Sequence, residues 1–252
     1  NIQIAHGTTI TIEDGVVIEG NGYDIGVLGS LDVNGLSGSR VRFNDVDILF
    51  GTGSSTPGVI DASFAEFNSG SFLKPTGHGS FQVTDSIFES VSGFYIWYPT
   101  AASGFQRNIF LNSDGLSIGT DYAFDVSNNI FYGNSDPAIE NWAAYGPAVT
   151  VAHNSFLQAD SLAMELPVGY SSSAIDAFEN YYGTTDVQAI ESRIFDKNDN
   201  LNSHSYVSTS FLSEPHSDTP DFNKKIAIVS ITENSDISTV VYTASTTDLS
   251  GN

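Results

Sequence analysis

The sequence contains no cysteine, which excludes disulfides and thiolate metal sites. No apolar run approaches the roughly 18 residues of a membrane-spanning helix, so no membrane insertion is expected. Positive charge is also scarce, since 8 Lys and Arg residues stand against 30 Asp and Glu residues, for a formal net charge of -22. Nucleic acid is therefore not expected as a partner, because phosphate binding needs basic side chains. This acidity suits solubility in salty surroundings or the binding of cations.

Aromatic residues are plentiful, and six of them recur at a nearly constant spacing. These aromatics are Phe64, Phe88, Phe110, Phe131, Phe156 and Tyr182. Successive members lie 24, 22, 21, 25 and 26 residues apart. Two places before each lies a small or amide residue: Ala62, Ser86, Asn108, Asn129, Asn154 and Asn180. A period of this length indicates a solenoid, in which each turn buries its apolar face against its neighbours.

The segments between the turns have the short, alternating pattern of β-strands, as in 81–84, 123–126 and 148–151. The sequence therefore predicts an all-β fold, a right-handed parallel β-helix solenoid of about eight coils. Its Asn column is expected to take left-handed backbone at a turn and to hydrogen-bond along the stack. The helical pattern over 184–196 predicts a short C-terminal capping helix, and a last strand is expected over 205–208.

Both ends of the repeat region resemble a known family. Residues 8–18 read TTITIEDGVVI, residues 25–35 read IGVLGSLDVNG and residues 41–43 read VRF. This order is similar to the entry coils of pectin-lyase-like β-helix proteins of bacterial surfaces. The NYYGT sequence at 180–184 resembles the Asn-Tyr-Trp-Gly turn of the same group. The resemblance covers 1–217, and it implies a fold rather than an activity, because this fold carries lyases, hydrolases, epimerases, adhesins and stalks.

The last part of the chain has a different composition. Residues 218–225 are interpreted as a linker, and residues 226–252 resemble the truncated start of a cadherin-like β-sandwich module. That resemblance rests on IAIVSI at 226–231, VVYTA at 240–244, Glu233 and Asp248. It implies calcium between modules, although Ser250 replaces the second expected Asp. A β-helix followed by such a module is typical of a large, secreted or cell-surface bacterial protein.

Equivalent positions on successive coils lie about 4.8 Å apart, so the repeat places acidic residues in columns. One column contains Asp114, Asp136 and Asp160. Such carboxylates either point into water on turns, hold a calcium ion, or form an acid/base set through a raised pKa. A second column contains Asp85, Arg107, Asn128, His153 and Glu179, and it is interpreted as an outward row of compensating charges.

Aromatic and acidic residues meet in a third group. Glu140 and Glu165 are placed in one column with Trp97 and Gly119, and the neighbouring aromatic residues are Trp142, Tyr122 and Tyr145. Aromatic faces beside carboxylates are typical of sites that bind sugar rings. Trp97, Trp142, Tyr122 and Tyr145 are therefore expected either to form a ligand-binding surface or to cover the bases of the loops.

Two functions follow from these patterns. The first is a non-catalytic extracellular module that serves as a stalk, an adhesion element or a glycan contact. The alternative is a polysaccharide-active lyase, hydrolase or epimerase that draws on the carboxylates of the acidic columns. That pool is Asp114, Asp136, Asp160, Glu140 and Glu165. The expected partner is a polysaccharide or cell-surface glycan, calcium is the one cofactor suggested, and no organic cofactor is expected.

Overall fold

A computed structural model describes residues 1–50, 57–72, 79–135, 137–208 and 210–221. The chain winds into a parallel β-solenoid of about seven turns, and every strand pairs in parallel with the equivalent strand one turn away. The predicted all-β parallel solenoid with one short helix is confirmed. Segment 226–252, predicted to be the start of a cadherin-like module, lies outside the described residues.

Three sheets form the sides of the solenoid. Sheet one contains β1 (Ile2–Ile4), β3 (Val17–Val27), β5 (Val41–Phe50), β7 (Ala65–Phe72), β9 (Ile87–Glu89), β12 (Ile109–Leu111), β15 (Ile130–Tyr132) and β18 (Ser155–Phe156). Sheet two contains β2 (Thr9–Glu13), β4 (Ser30–Asn34), β6 (Gly58–Ser63), β8 (Gly79–Thr84), β11 (Ser103–Gln106), β14 (Phe124–Ser127), β17 (Val149–Ala152) and β20 (Ile175–Phe178). Sheet three, in the C-terminal half, contains β10 (Tyr95–Trp97), β13 (Leu116–Thr120), β16 (Ile139–Ala144), β19 (Met164–Glu165) and β21 (Ile194–Phe195).

A column of stacked aromatic rings runs through the core along sheet one. Its members are Phe43, Phe67, Phe88, Phe110, Phe131, Phe156 and Tyr182. The rings of Phe88 and Phe110 are 4.9 Å apart and inclined by 6°, and those of Phe110 and Phe131 are 4.8 Å apart and inclined by 2°. Parallel strand spacing sets these separations, because each ring lies on its equivalent one coil away.

The placement of Phe64 in this column was wrong. Phe67, three residues later, pairs in register with both Phe43 and Phe88. Ala62 pairs with Val83 in sheet two, which leaves Phe64 at the corner between the sheets with a φ of 50°. Strand register therefore decides which residue of each coil belongs to the column. The spacing of the repeat along the sequence predicts that residue only to within a few positions.

The Asn column forms a buried hydrogen-bond ladder, as predicted, but not at the left-handed position. Asn129 donates its backbone N–H and its Nδ2 to Oδ1 of Asn154, at 2.9 and 3.0 Å, and Nδ2 also donates to the Phe105 carbonyl at 2.9 Å. Asn108 repeats the same three bonds one coil earlier. Each amide therefore satisfies backbone groups that the corner removes from the sheets.

Left-handed backbone occurs one residue before each ladder position. The residues concerned are Phe64, Asp85, Arg107, Asn128, His153 and Glu179, with φ between 50° and 58°. This outward column contains compensating charges, as predicted. Arg107 donates to both carboxylate oxygens of Asp85 at 2.8 and 2.7 Å, and His153 Nε2 lies 3.0 Å from Glu179 Oε2.

The C-terminal cap is shorter than predicted. Its helix, α1, spans Val187–Glu191, and Asp186 caps it by accepting hydrogen bonds from the next backbone N–H groups. The strand expected over 205–208 is not formed. Instead the N–H of Val207 donates to the carboxylate of Asp196 at 2.6 Å. A side-chain oxygen thus takes the place that a carbonyl of a neighbouring strand would have as the acceptor.

One buried cation fastens the cap to the last coils. Arg193 is 5% exposed, and its guanidinium donates to the carbonyls of Ser161, Phe156 and Tyr182 at 3.1, 3.3 and 2.8 Å. The predicted linker begins against the same end of the solenoid, since the Thr219 hydroxyl donates to the His153 carbonyl at 2.8 Å.

Candidate functional site

A surface groove of about 320 Å³ lies on the outer face of sheet three. Alternation along the short strands creates this face. Ile96, Leu116 and Ile139 point into the core, one from each of β10, β13 and β16, and their neighbours on the same strand point outward. The groove is lined by Phe94, Tyr95, Trp97, Asp114, Gly115, Leu116, Ser117, Ser135, Pro137, Glu140 and Trp142. It therefore contains both tryptophans of the chain and two of the predicted carboxylates.

The two tryptophans approach each other across an intervening strand. Trp97 lies on β10 and Trp142 on β16, which are separated by β13, so their backbones are roughly 9.6 Å apart. Their ring centroids are nevertheless only 6.1 Å apart, with an interplanar angle of 36°. The residue of β13 in register with Trp97 is Gly119, where an added Cβ would meet no atom within 4 Å. The absence of a side chain at Gly119 leaves room for the two rings.

A β-bulge sets the position of Trp142. In the pairing of β13 with β16, Ile118 is opposite Asn141 but Gly119 is opposite Ala143, so Trp142 is the extra residue. Bulges redirect side chains and often lie beside functional sites. The strand register also corrects the predicted column, because Glu140 is paired with Ser117 and Glu165 rather than with Gly119.

The carboxylate of Glu140 is held at the base of the groove. Its Oε2 accepts hydrogen bonds from Trp142 Nε1 at 2.6 Å and from the Ser117 hydroxyl at 3.4 Å. Trp142 Nε1 also donates to the Ser117 oxygen at 3.0 Å. Burial raises the pKa of Glu140, and the hydrogen bonds from Trp142 and Ser117 oppose that rise in part.

Of the three residues in the predicted acidic column, one lines this groove in the described part of the chain. Asp114 lines it, and its Oδ2 accepts a hydrogen bond from the Gly93 N–H at 3.0 Å. Asp160 is exposed and does not line the groove, while Asp136 lies outside the described residues. Within the described ranges, no group of three or more acidic or histidine side chains could hold a metal ion. A calcium ion that depends on Asp136 stays a prediction.

Further tyrosines extend the aromatic surface beyond the groove. The ring of Tyr170 meets that of Trp142 edge-on at 4.7 Å, and Tyr98 meets Trp97 edge-on at 6.3 Å. Tyr145, a predicted ligand residue, stacks with Tyr98 at 6.3 Å and is 67% exposed. The surface therefore continues over several coils along the solenoid axis.

Two predicted residues lie apart from these contacts. Tyr122 is exposed on the turn after β13, where its N–H donates to the Thr120 hydroxyl at 3.0 Å. Glu165 lies next to Glu140 in strand register but is not among the residues that line the groove.

Three features of the site were absent from the sequence prediction. These are the hydrogen bonding of Ser117, the space at Gly119 and the contact of Tyr170 with Trp142. Ser117 and Gly119 left a signal because they lie at outward positions of a recognisable strand, and Tyr170 left one as a further aromatic residue of the same region.

No helix within the described ranges is long and apolar enough to cross a membrane. Comparisons with protein-family models, with curated proteins and with solved structures find no match to this chain.

Proposed function

We propose that this chain is a non-catalytic β-helix module that binds a glycan in the groove on sheet three. The observation that carries the proposal is the pair of tryptophan rings, 6.1 Å apart, that line a groove beside a fixed carboxylate. Trp97 is 43% exposed, although burial of a large aromatic side chain would contribute more free energy than burial of a smaller one. Trp142 beside it is half-buried, and a partly exposed pair of this kind is typical of a surface that a ligand covers.

A sugar ring matches the chemistry of this groove. Its C–H face packs on an indole, and its hydroxyl groups donate to carboxylate oxygens. Trp97 and Trp142 supply the two faces, and Asp114 and Glu140 supply the acceptors. Tyr170 extends the apolar surface along the axis, which suits a chain of sugars better than a single one.

The proposed setting is a secreted or cell-surface bacterial protein. It is supported by the pectin-lyase-like resemblance of 1–217 and by the cadherin-like resemblance of 226–252. The regular core of stacked rings and amide ladders supports a rigid scaffold that presents the groove at one place along its length.

A polysaccharide-active enzyme is the second candidate. It is favoured by one observation, that Asp114 and Glu140 line the same groove. It ranks lower because only Asp114 and Glu140, of the five carboxylates predicted for catalysis, line the groove in the described part of the chain, whereas both tryptophans do. A catalytic acid or base needs access to the proton that it transfers.

Intrinsic fluorescence tests the proposal directly, because the two tryptophans are the only ones in the chain and both line the groove. The full chain is titrated with oligosaccharides of different composition while indole emission is recorded. A ligand in the groove is expected to change that emission in a saturable way. Affinity by calorimetry is expected to fall more than about tenfold in Trp97→Ala, as expected for a central aromatic contact.

Tyr23→Ala is the matched control, since Tyr23 is 62% exposed on β3 of sheet one, away from the groove. Equal affinity of the wild type and Trp97→Ala for every oligosaccharide bound would overturn the proposal. Release of shortened products, lost in Glu140→Gln, would instead support the enzyme.

A further inference from the structure

We propose that the groove is selective for glycans with a free, protonated amine, as in glucosamine, a specificity that rests on the proposed glycan-binding function. Three observations carry this inference: the charge of the lining, the unshared oxygen of Glu140, and the aromatic faces around it.

Among the residues that the structure describes, the lining of the groove is acidic and contains no lysine or arginine. Asp114 and Glu140 both line it. The lysines and arginines of the described ranges lie elsewhere: Arg40, Arg42, Arg107, Arg193 and Lys197. With a net charge of -22 on the whole chain, a polyuronate or a sulfated glycan would meet repulsion, and the described part of the lining offers it no cationic partner.

The carboxylate of Glu140 is oriented but not neutralised. Trp142 and Ser117 both bond Oε2, and within the described part of the chain no donor bonds Oε1. The side chain is half-buried and has no ion-pair partner among the described residues. An ammonium group at Oε1 would supply the missing counter-charge through a charge-assisted hydrogen bond.

The aromatic rings favour the same ligand. Trp97 and Trp142 present indole faces beside Glu140, and Tyr95 lines the groove next to them. An ammonium over an aromatic face is attracted by the electron density of the ring, most strongly over tryptophan. A combination of aromatic faces with carboxylates, and without competing cations, is the usual arrangement for recognising an organic ammonium group.

Two oligosaccharides that differ only in this amine test the inference. The full chain is titrated by calorimetry with a glucosamine oligomer and with an N-acetylglucosamine oligomer of the same length. The pH is set between the pKa values of Glu140 and of the sugar amine. We expect about tenfold tighter binding of the free amine, the effect of one added charge-assisted hydrogen bond. A galacturonate oligomer of equal length is expected not to bind.

Glu140→Gln separates specific recognition from general attraction to an acidic protein. It is expected to weaken glucosamine binding about tenfold more than it weakens N-acetylglucosamine binding, because both sugars lose a hydroxyl acceptor but only glucosamine loses its counter-charge. Glu89→Gln removes an equal charge from an exposed position on sheet one and is expected to change neither affinity. If Glu140→Gln does not fold, Asp114→Asn is used in its place.

The outcomes distinguish this inference from the function on which it rests. Equal affinity for both oligomers, with loss of both in Trp97→Ala, would overturn amine selectivity and leave glycan binding in place. Tight galacturonate binding would overturn it as well. Binding of any oligomer that survives Trp97→Ala unchanged would overturn the proposed groove itself.

Discussion

The indole Nε1 of Trp142 donates a 2.6 Å hydrogen bond to Oε2 of Glu140, two residues earlier on the same strand. Strand alternation places both side chains on the outer face of sheet three. The bond therefore fixes an aromatic face and a carboxylate in one arrangement, before any ligand is present. A ligand that needs both groups would lose little entropy in ordering them.

Binding of a glucosamine oligomer is expected to depend on the protonation of Glu140. Burial raises the pKa of this carboxyl, so the carboxylate is lost at a higher pH than in an exposed glutamate. Affinity should fall as the pH decreases through that pKa. Trp142→Phe removes a hydrogen bond that lowers the pKa, and it should move the midpoint to higher pH. Calorimetric titrations across a pH series measure both midpoints.

Among the described residues, two other acids lie near enough to contribute, Asp114 in the groove and Glu165 beside Glu140 in strand register. Glu140→Gln serves as the control that assigns the dependence. If the affinity of that variant still falls at low pH with the same midpoint, a different carboxyl controls binding.

A large side chain at Gly119 is expected to block the groove without unfolding the protein. The position lies on β13, the strand between those of the two tryptophans, and an added Cβ there would meet no atom within 4 Å. Gly119→Leu should therefore reduce oligosaccharide affinity at least about tenfold, by filling the space a ligand needs. Gly119→Ala is the matched variant and should retain binding within about threefold. Calorimetry measures affinity, and thermal unfolding verifies that both variants remain folded.

A large fall in the melting temperature of Gly119→Leu would show that the outward space is smaller than the geometry indicates. Full affinity in the folded Gly119→Leu variant would place the ligand elsewhere.

Loss of one ladder amide is expected to cost far more stability than loss of a surface amide. Asn129→Ala leaves the Asn108 N–H and the Phe105 carbonyl without their buried partner. The free energy of unfolding should fall by about 3 kcal/mol, the sum of two unsatisfied backbone groups. Denaturant unfolding measures this difference. In the control, Asn44→Ala removes a partly exposed amide that bonds Glu19, and it should cost less than about 1 kcal/mol.

Similar costs for both amides would mean that water replaces the missing ladder bonds, which would contradict the closed packing at this corner.

Removal of Arg193 is expected to loosen the C-terminal cap. Its guanidinium donates to three carbonyls and lies 5.9 Å from the Tyr182 ring centroid. Arg193→Leu should lower the free energy of unfolding by about 3 kcal/mol, because buried carbonyls lose a charged donor. Hydrogen exchange should increase first around α1 and β21. Arg42→Leu is the control, since that side chain is 55% exposed in its pair with Glu66 and should contribute less than about 1 kcal/mol.

An unchanged exchange rate at α1 in Arg193→Leu would show that the cap is held by its apolar contacts, above all by buried Ile190.

The repeat determined the solenoid and most of its core. A recurring aromatic with an amide two places earlier was sufficient to predict stacked rings and an Asn ladder, because parallel coils place equivalent residues on top of one another. The error at Phe64 arose because a second phenylalanine, Phe67, lies three residues later and the spacing fits either. Strand pairing on both sides selects Phe67.

The left-handed position could not be assigned by residue type. Asn is the residue most suited to it after glycine, yet the structure places Asp85, Arg107 and His153 there and buries the Asn side chains beside them. The backbone groups at the corner need an internal donor and acceptor, and this requirement outweighs the local preference of the backbone.

The sequence by itself determined the all-β solenoid, the acidic charge and the set of aromatic and acidic residues from which a site could be built. Only the tertiary structure decided which of them meet. A one-residue bulge at Trp142 shifts the pairing of β13 with β16 after Ile118, and the two tryptophans meet over Gly119. Asp160 lies outside the groove. Spacing along the chain fixes which coil a residue belongs to, whereas bulges, corners and side-chain hydrogen bonds fix where it lies on that coil.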